Sequence, residues 1–192
     1  MPFSLTLSHV GIHVTDVERM VDFYTRFLGF AESDRGTLAD GRGEIVFLTR
    51  DPREHHQLVL VTGRPKDLSY NLINQLSFRV DSLGTLREIQ AGLPGEGAKE
   101  LRSVTHGNAL SLYFRDPEGN RVELLIDTPW HVPQPCRIPV DLSLPDDELW
   151  ASIEKKAREL PGFKSREAWQ RDIEKRIAEA TQKRRAKPAT IN

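Results

Sequence analysis

Between Asn108 and Asp127 apolar and polar positions alternate with period two on either side of Asp116-Pro117-Glu118-Gly119. Such alternation predicts two half-buried strands. The Asp, Pro and Gly between them supply the side-chain acceptor, the preset φ and the small last residue of a type I turn. On the return strand Val122, Leu124 and Ile126 take one face and Glu123 the other. A carboxylate among apolar residues needs a partner, and by itself it reads most simply as half of a surface salt bridge.

A second copy of the pattern changes that reading. Leu7 to Met20 lies over Ile73 to Leu86, so that His9 falls on Gln75, 66 positions on, and Gln57 falls on Glu123 at the same spacing. The turns Arg50-Asp51-Pro52 and Arg115-Asp116-Pro117 are 65 positions apart, which one extra turn residue in the first copy reconciles. Because Leu58 to Val61 is apolar throughout, parity leaves three residues open as the one facing inward: His56, Gln57 or Leu58. Each copy reads as strand, helix, then strands ending in a hairpin.

In the first copy Val10, Ile12 and Val14 alternate with His9, Gly11 and His13, placing both histidines away from the helix layer. Thr15 and Glu18 predict a capping box for a helix with Val17, Met20, Val21, Tyr24 and Phe27 on its apolar stripe and Gly29 as its stop. A short strand and a turn are predicted over 32–42 and strands at 45–49 and 57–62, with His55 and His56 read as turn histidines, and 63–71 as a linker. In the second copy Leu76, Phe78 and Val80 oppose Gln75, Ser77 and Arg79, and Asp81 or Ser82 caps a helix carrying Leu83, Leu86, Ile89 and Leu93. Gly92 to Gly97 reads as a loop that could border a pocket. Beyond Asp127, five prolines up to Pro145 predict an extended strap, followed by helices at 144–160, capped by Ser143, and 165–185. The domain boundaries that follow are 1–130 for the paired modules (about 5–62 and 72–127) and 131–192 for the strap and two-helix extension.

Composition narrows the function. A chain of 192 residues with 38% hydrophobic residues can bury one sizeable core. A net charge of −1 gives no field to attract nucleic acid or an anionic membrane. Cys136 stands alone, which excludes an intramolecular disulfide and suits a reducing compartment. The start MPFSLTLSHV lacks a basic segment followed by an apolar core, so a cytoplasmic location is expected.

If the matching polar faces of the two modules meet, His9, Gln57, Gln75 and Glu123 converge. An imidazole, a carboxylate and amide oxygens form a plausible site for a divalent metal with open positions. His13, four residues from His9, is about 13 Å away along the strand. The stretches LSHVGIHVTDVERMVDFYTRFLGF and THGNALSLYFRDPEGNRVELL resemble the vicinal oxygen chelate superfamily: glyoxalases, type I extradiol dioxygenases, fosfomycin-resistance transferases and bleomycin-binding proteins. The resemblance covers about Leu5 to Trp130. It implies an α+β fold of two tandem βαβββ modules forming a partly open, barrel-like sheet around a central cavity, here with a C-terminal helical extension. It also implies a homodimer or higher homo-oligomer.

By position, His9 and Glu123 match metal ligands of the extradiol dioxygenases, and Gln75 stands where their second histidine belongs. Glutamine serves as a ligand in some glyoxalases. Tyr113 and His106 match residues that manage protons beside the substrate. Gln57 in place of a second carboxylate argues against glyoxalase chemistry, since an amide cannot accept the proton. The implied activity is Fe(II)-dependent ring cleavage of a small catecholic aromatic compound by dioxygen. Alternatives are a lyase, epimerase or transferase using Mn, Ni or Zn, and a metal-free binding protein for a small aromatic ligand.

Overall fold

The computed structural model describes residues 5–65, 67, 68 and 70–186. The first copy contains β1 (Val10–Val14), α1 (Val17–Asp22), β2 (Ala31–Thr37), β3 (Glu44–Thr49) and β4 (Leu58–Thr62). The second repeats the order: β5 (Leu76–Arg79), α2 (Leu83–Gly92), β6 (Lys99–Thr105), β7 (Ala109–Arg115) and β8 (Arg121–Asp127). Sheet order repeats too. The first sheet runs β1-β4-β3-β2, and the second, read from its β5 edge, runs β5-β8-β7-β6. The duplication seen in the sequence is thus a duplication of βαβββ topology. The short strand β10 (Ile138–Pro139) adds to the β6 edge, where its proline removes no interior ladder bond. The remaining elements are β9 (Trp130–His131), α3 (Asp146–Arg158), β11 (Lys164–Ser165) and α4 (Arg166–Ala186). Among the described residues no helix is long and apolar enough to cross a membrane.

The chain divides into two compact units, one of residues 5–102 and 112–124 and the other of residues 103–111 with 125 onward. In the first, the inward faces of β1, β3 and β4 bury Ile12, Val14, Val46, Leu48, Leu58 and Leu60 under Val17, Met20 and Val21 of α1. Each such side chain contributes roughly 1.5–3 kcal/mol of burial. β1 and β4 pair in parallel, with Val10 opposite Leu58. Past α1 the backbone widens into a π-helical turn at Phe23–Phe27 before Gly29, at φ 71°, ends it.

Two capping expectations fail for stated reasons. Asp16, not Thr15, caps α1 by accepting the Arg19 N–H at 3.0 Å. The Thr15 N–H is instead bound by Glu118, and Glu18 pairs with Arg35. The third helix starts behind Pro145 without a side-chain cap, because the Ser143 hydroxyl turns back to Asp141 at 2.7 Å. Gly92–Gly97, read as a loop, holds a 3₁₀ turn (Leu93–Glu96) anchored by the fully buried Leu93. In the second unit Leu149, Ile153 and Ala157 of α3 are buried along with Trp130, Val132 and Leu142. The basic end of α4, read as a solvated tail, lies outside the described side chains.

Candidate functional site

Period-two alternation on three neighbouring strands gathers the polar cluster. Glu123 sits midway along β8, 5% exposed. The Tyr113 hydroxyl, from β7, donates to its Oε1 at 2.5 Å. Ser77 Oγ on β5 and Gln75 Nε2, just before that strand, donate to its Oε2 at 2.6 and 2.7 Å. Gln75 Nε2 also lies 3.1 Å from Ser77 Oγ, closing a triangle of side chains around one carboxylate oxygen. Hydroxyl bonds to a carboxylate at these lengths are among the stronger hydrogen bonds in proteins. Gln75, Tyr113 and Glu123 are therefore assembled as one group. Ser77 completes the group, and its only sequence signal is its two-residue spacing from Gln75.

His9 lies at the start of β1, exposed, with Nδ1 3.2 Å from Ser8 Oγ. Its ring centroid is 4.2 Å from that of His56. Of the three residues that parity left open, His56 is thus the one that meets His9. Leu58 faces the core at 1% exposure, and Gln57 Oε1 is spent on the Arg50 N–H at 2.9 Å, closing its own hairpin. His56 Nδ1 lies 2.8 Å from His55 Nδ1, so one of the two rings donates and the other accepts. Burial, then the neighbouring His9 and His55, push the His56 pKa below the usual histidine value.

His106 belongs to the other unit. Its Nδ1 is 2.6 Å from the Cys136 carbonyl oxygen, an acceptor only, so Nδ1 carries the hydrogen. Gln134 Nε2 donates to the His106 carbonyl at 2.7 Å. Gly107, next along the chain, has φ 74°, and a Cβ there would meet Val132 Cγ2 at 2.0 Å, so only glycine fits this turn into β7.

His9, Gln75 and Glu123 offer an imidazole nitrogen, an amide oxygen and a carboxylate, a donor set suited to Fe(II) or Mn(II). Among the described residues no three of His, Cys, Asp and Glu are grouped to hold an ion, and in this set an amide stands in the third place. Gln75 presents its nitrogen to Glu123, and half a turn of the amide exchanges it for the oxygen. The donor types suit a divalent ion once that amide turns, while His9 itself is placed against Ser8 and His56.

The second of the duplicated βαβββ sheets thus gathers a carboxylate, a tyrosine and an amide on its polar face. Residues 6–124 match the Glyoxalase/Bleomycin resistance protein/Dioxygenase superfamily, and the chain belongs to it. It is 31% identical over 124 residues to biphenyl-2,3-diol 1,2-dioxygenase 2 of Rhodococcus globerulus, covering 62% of each chain. It is 25% identical over 134 residues to a probable chloroplastic lactoylglutathione lyase of Arabidopsis thaliana, covering 68% of this chain and 38% of that one. The matched region spans less than two thirds of the length of these relatives. Among solved structures it is similar to a glyoxylase/bleomycin resistance protein/dioxygenase domain from Frankia sp. EAN1pec, with TM-score 0.55, 25% identity, and 65% and 94% of the two chains covered. A fosfomycin resistance protein, FosX, from Listeria monocytogenes, solved with Mn(II) and sulfate, shares the fold at TM-score 0.52 and 18% identity, over 66% and 95%.

Proposed function

We propose that the chain is an extradiol-type, ring-cleaving dioxygenase for a small catecholic compound, with Fe(II) held by His9, Gln75 and Glu123. The observation that carries this reading is the Tyr113 hydroxyl 2.5 Å from Glu123 in a group completed by Gln75 and Ser77. The similarity to a biphenyl-2,3-diol dioxygenase supports it. When bound, the ion supplies a positive centre for a catecholate and dioxygen. Tyr113 and His106 are the proposed proton carriers. The Cys136 carbonyl fixes the His106 proton on Nδ1 and with it the orientation of the ring. Gln57, bonded to Arg50 within its own hairpin, takes no part in the proposed site, and His56 is the residue beside His9. In this proposal residues 1–130 are the catalytic domain, 131–192 are an extension, and the enzyme works in the cytoplasm as a homo-oligomer.

Anaerobic reconstitution with Fe(II), then aeration with catechol, 3-methylcatechol and biphenyl-2,3-diol, tests the reading. Oxygen uptake with a coloured ring-fission product is expected for at least one diol, and no uptake across the panel retires the proposal. The Gln75 nitrogen donating to Glu123 favours one other reading, a metal-free binding protein for a small aromatic ligand. Calorimetric titration with Fe(II) and Mn(II) separates the two, since only the binding protein has affinity for neither ion.

A further inference from the structure

Beside Gly11, Ile12 and His13 of β1 lies a cavity of about 370 Å³, a size at which small ligands are commonly held. Its walls come from the middle of β1, from Gly63 and Arg64 after β4, and from residues 65, 68 and 71–73 that lead to the second module. Ile12, Leu68, Leu72 and Ile73 give it apolar surface, and Leu72 and Ile73 are 82% and 36% exposed. His13 and Arg64 give it polarity.

Arg64 is the unusual member. Its side chain is only 14% exposed. Nη1 donates to Asn120 Oδ1 at 2.8 Å and Nη2 donates to Asn71 Oδ1, both uncharged acceptors. The nearest carboxylate, Glu118, is 3.9 Å from Nη1. Both Glu118 oxygens already accept the Thr15 and Asp16 N–H groups, at 2.6 to 2.8 Å. A guanidinium so placed is oriented by its amides but only loosely neutralised. A charge shielded from water beside apolar walls is costly without a close counter-ion. With five N–H donors in a planar fork, the side chain has capacity left for a carboxylate.

We propose that this cavity, whose lining includes none of Gln75, Ser77, Tyr113 and Glu123, is a second ligand site. It binds a small carboxylate with an apolar body, the carboxylate on Arg64 and the body over Leu68, Leu72 and Ile73. Charge complementarity selects the head group and the exposed leucine and isoleucine select the body.

Phenylacetate and its uncharged counterpart phenylacetamide probe the full chain by amide NMR titration. Inorganic phosphate serves as a third probe, reporting binding by charge alone. Phenylacetate is expected to shift the Gly63, Arg64 and Asn71 signals and to bind at least tenfold more tightly than the amide or phosphate. Arg64→Gln should remove that preference. Leu72→Glu, which leaves the asparagine clamp untouched, should weaken phenylacetate at least tenfold while keeping the thermal melt of the parent, and it decides the matter should Arg64→Gln fail to fold. Equal affinity for acid and amide, phosphate binding as tight as phenylacetate, unchanged binding in Leu72→Glu, or no binding of any probe would each overturn the proposal.

Discussion

Glu123 carries more hydrogen bonds than a surface carboxylate needs, and each donor can be removed singly. Tyr113→Phe deletes one hydroxyl without changing the ring. If Tyr113 moves a proton during turnover, kcat should fall by about 10²-fold or more with little change in KM. Ser77→Ala should cost less in rate, but it leaves a buried carboxylate oxygen with one donor fewer, worth about 1–3 kcal/mol in a denaturant titration. Ser77 illustrates why part of the site escaped the sequence. A serine on the polar side of a strand is ordinary, and only the pairing of β5 beside β8 shows that it meets Glu123. His131 offers a pH test at the same scale. Burial, then Lys164, lowers its pKa, while its ring stacks on Trp169 at 5.2 Å. The folded chain therefore protonates it later than the unfolded chain as pH falls. Its contribution to stability is complete above about pH 6.5 and is lost as pH falls through the window between that value and the lower folded pKa. An NMR titration should place the His131 midpoint below 6.5, and a midpoint above it contradicts the stated cause.

The turn between β7 and β8 does more than reverse the chain. Asp116 accepts the Glu118 and Asn120 N–H groups and, at 3.1 Å, the fully buried Tyr24 hydroxyl from the first module's helical segment. Burial raises the Asp116 pKa, against the pull of these hydrogen bonds. Glu118 binds the Thr15 and Asp16 N–H groups where β1 gives way to α1. The turn that made the hairpin legible thus fastens one module to the other, which no local rule for turns reveals. The misplaced caps follow from this. Thr15 and Glu18 have the spacing of a capping box, but a carboxylate a hundred residues away takes the Thr15 N–H, and Asp16, next along the chain, does the capping. Glu118→Ala should lower stability by about 1.5–3 kcal/mol, as expected for charged hydrogen bonds, with Glu118→Gln closer to the parent. Urea denaturation followed by circular dichroism measures both. A loss under 0.5 kcal/mol would show the turn to be a passive connection.

At the scale of the molecule, the duplication was the most legible feature. The spacing of His9 from Gln75 matches that of β1 from β5, and the two sheets share one strand order. Register was legible only in part. The run Leu58 to Val61 is apolar on both faces, so alternation could not say that His56 is the residue beside His9. The residues beyond Asp127 were readable as a proline-rich strap and two helices, and a two-residue strand within the strap extends the second sheet. The proposed function requires three donors to come together: His9 just ahead of β1, Gln75 just ahead of β5, and Glu123 on β8.

Anomalous diffraction from crystals soaked in Mn(II) tests that arrangement directly. The account predicts one strong peak at about 2.0–2.3 Å from a His9 ring nitrogen, the Gln75 amide oxygen and a Glu123 carboxylate oxygen, at the bond lengths usual for nitrogen and oxygen ligands, and its loss in Glu123→Gln. A map with no peak at these residues, or with manganese bound only elsewhere, contradicts it.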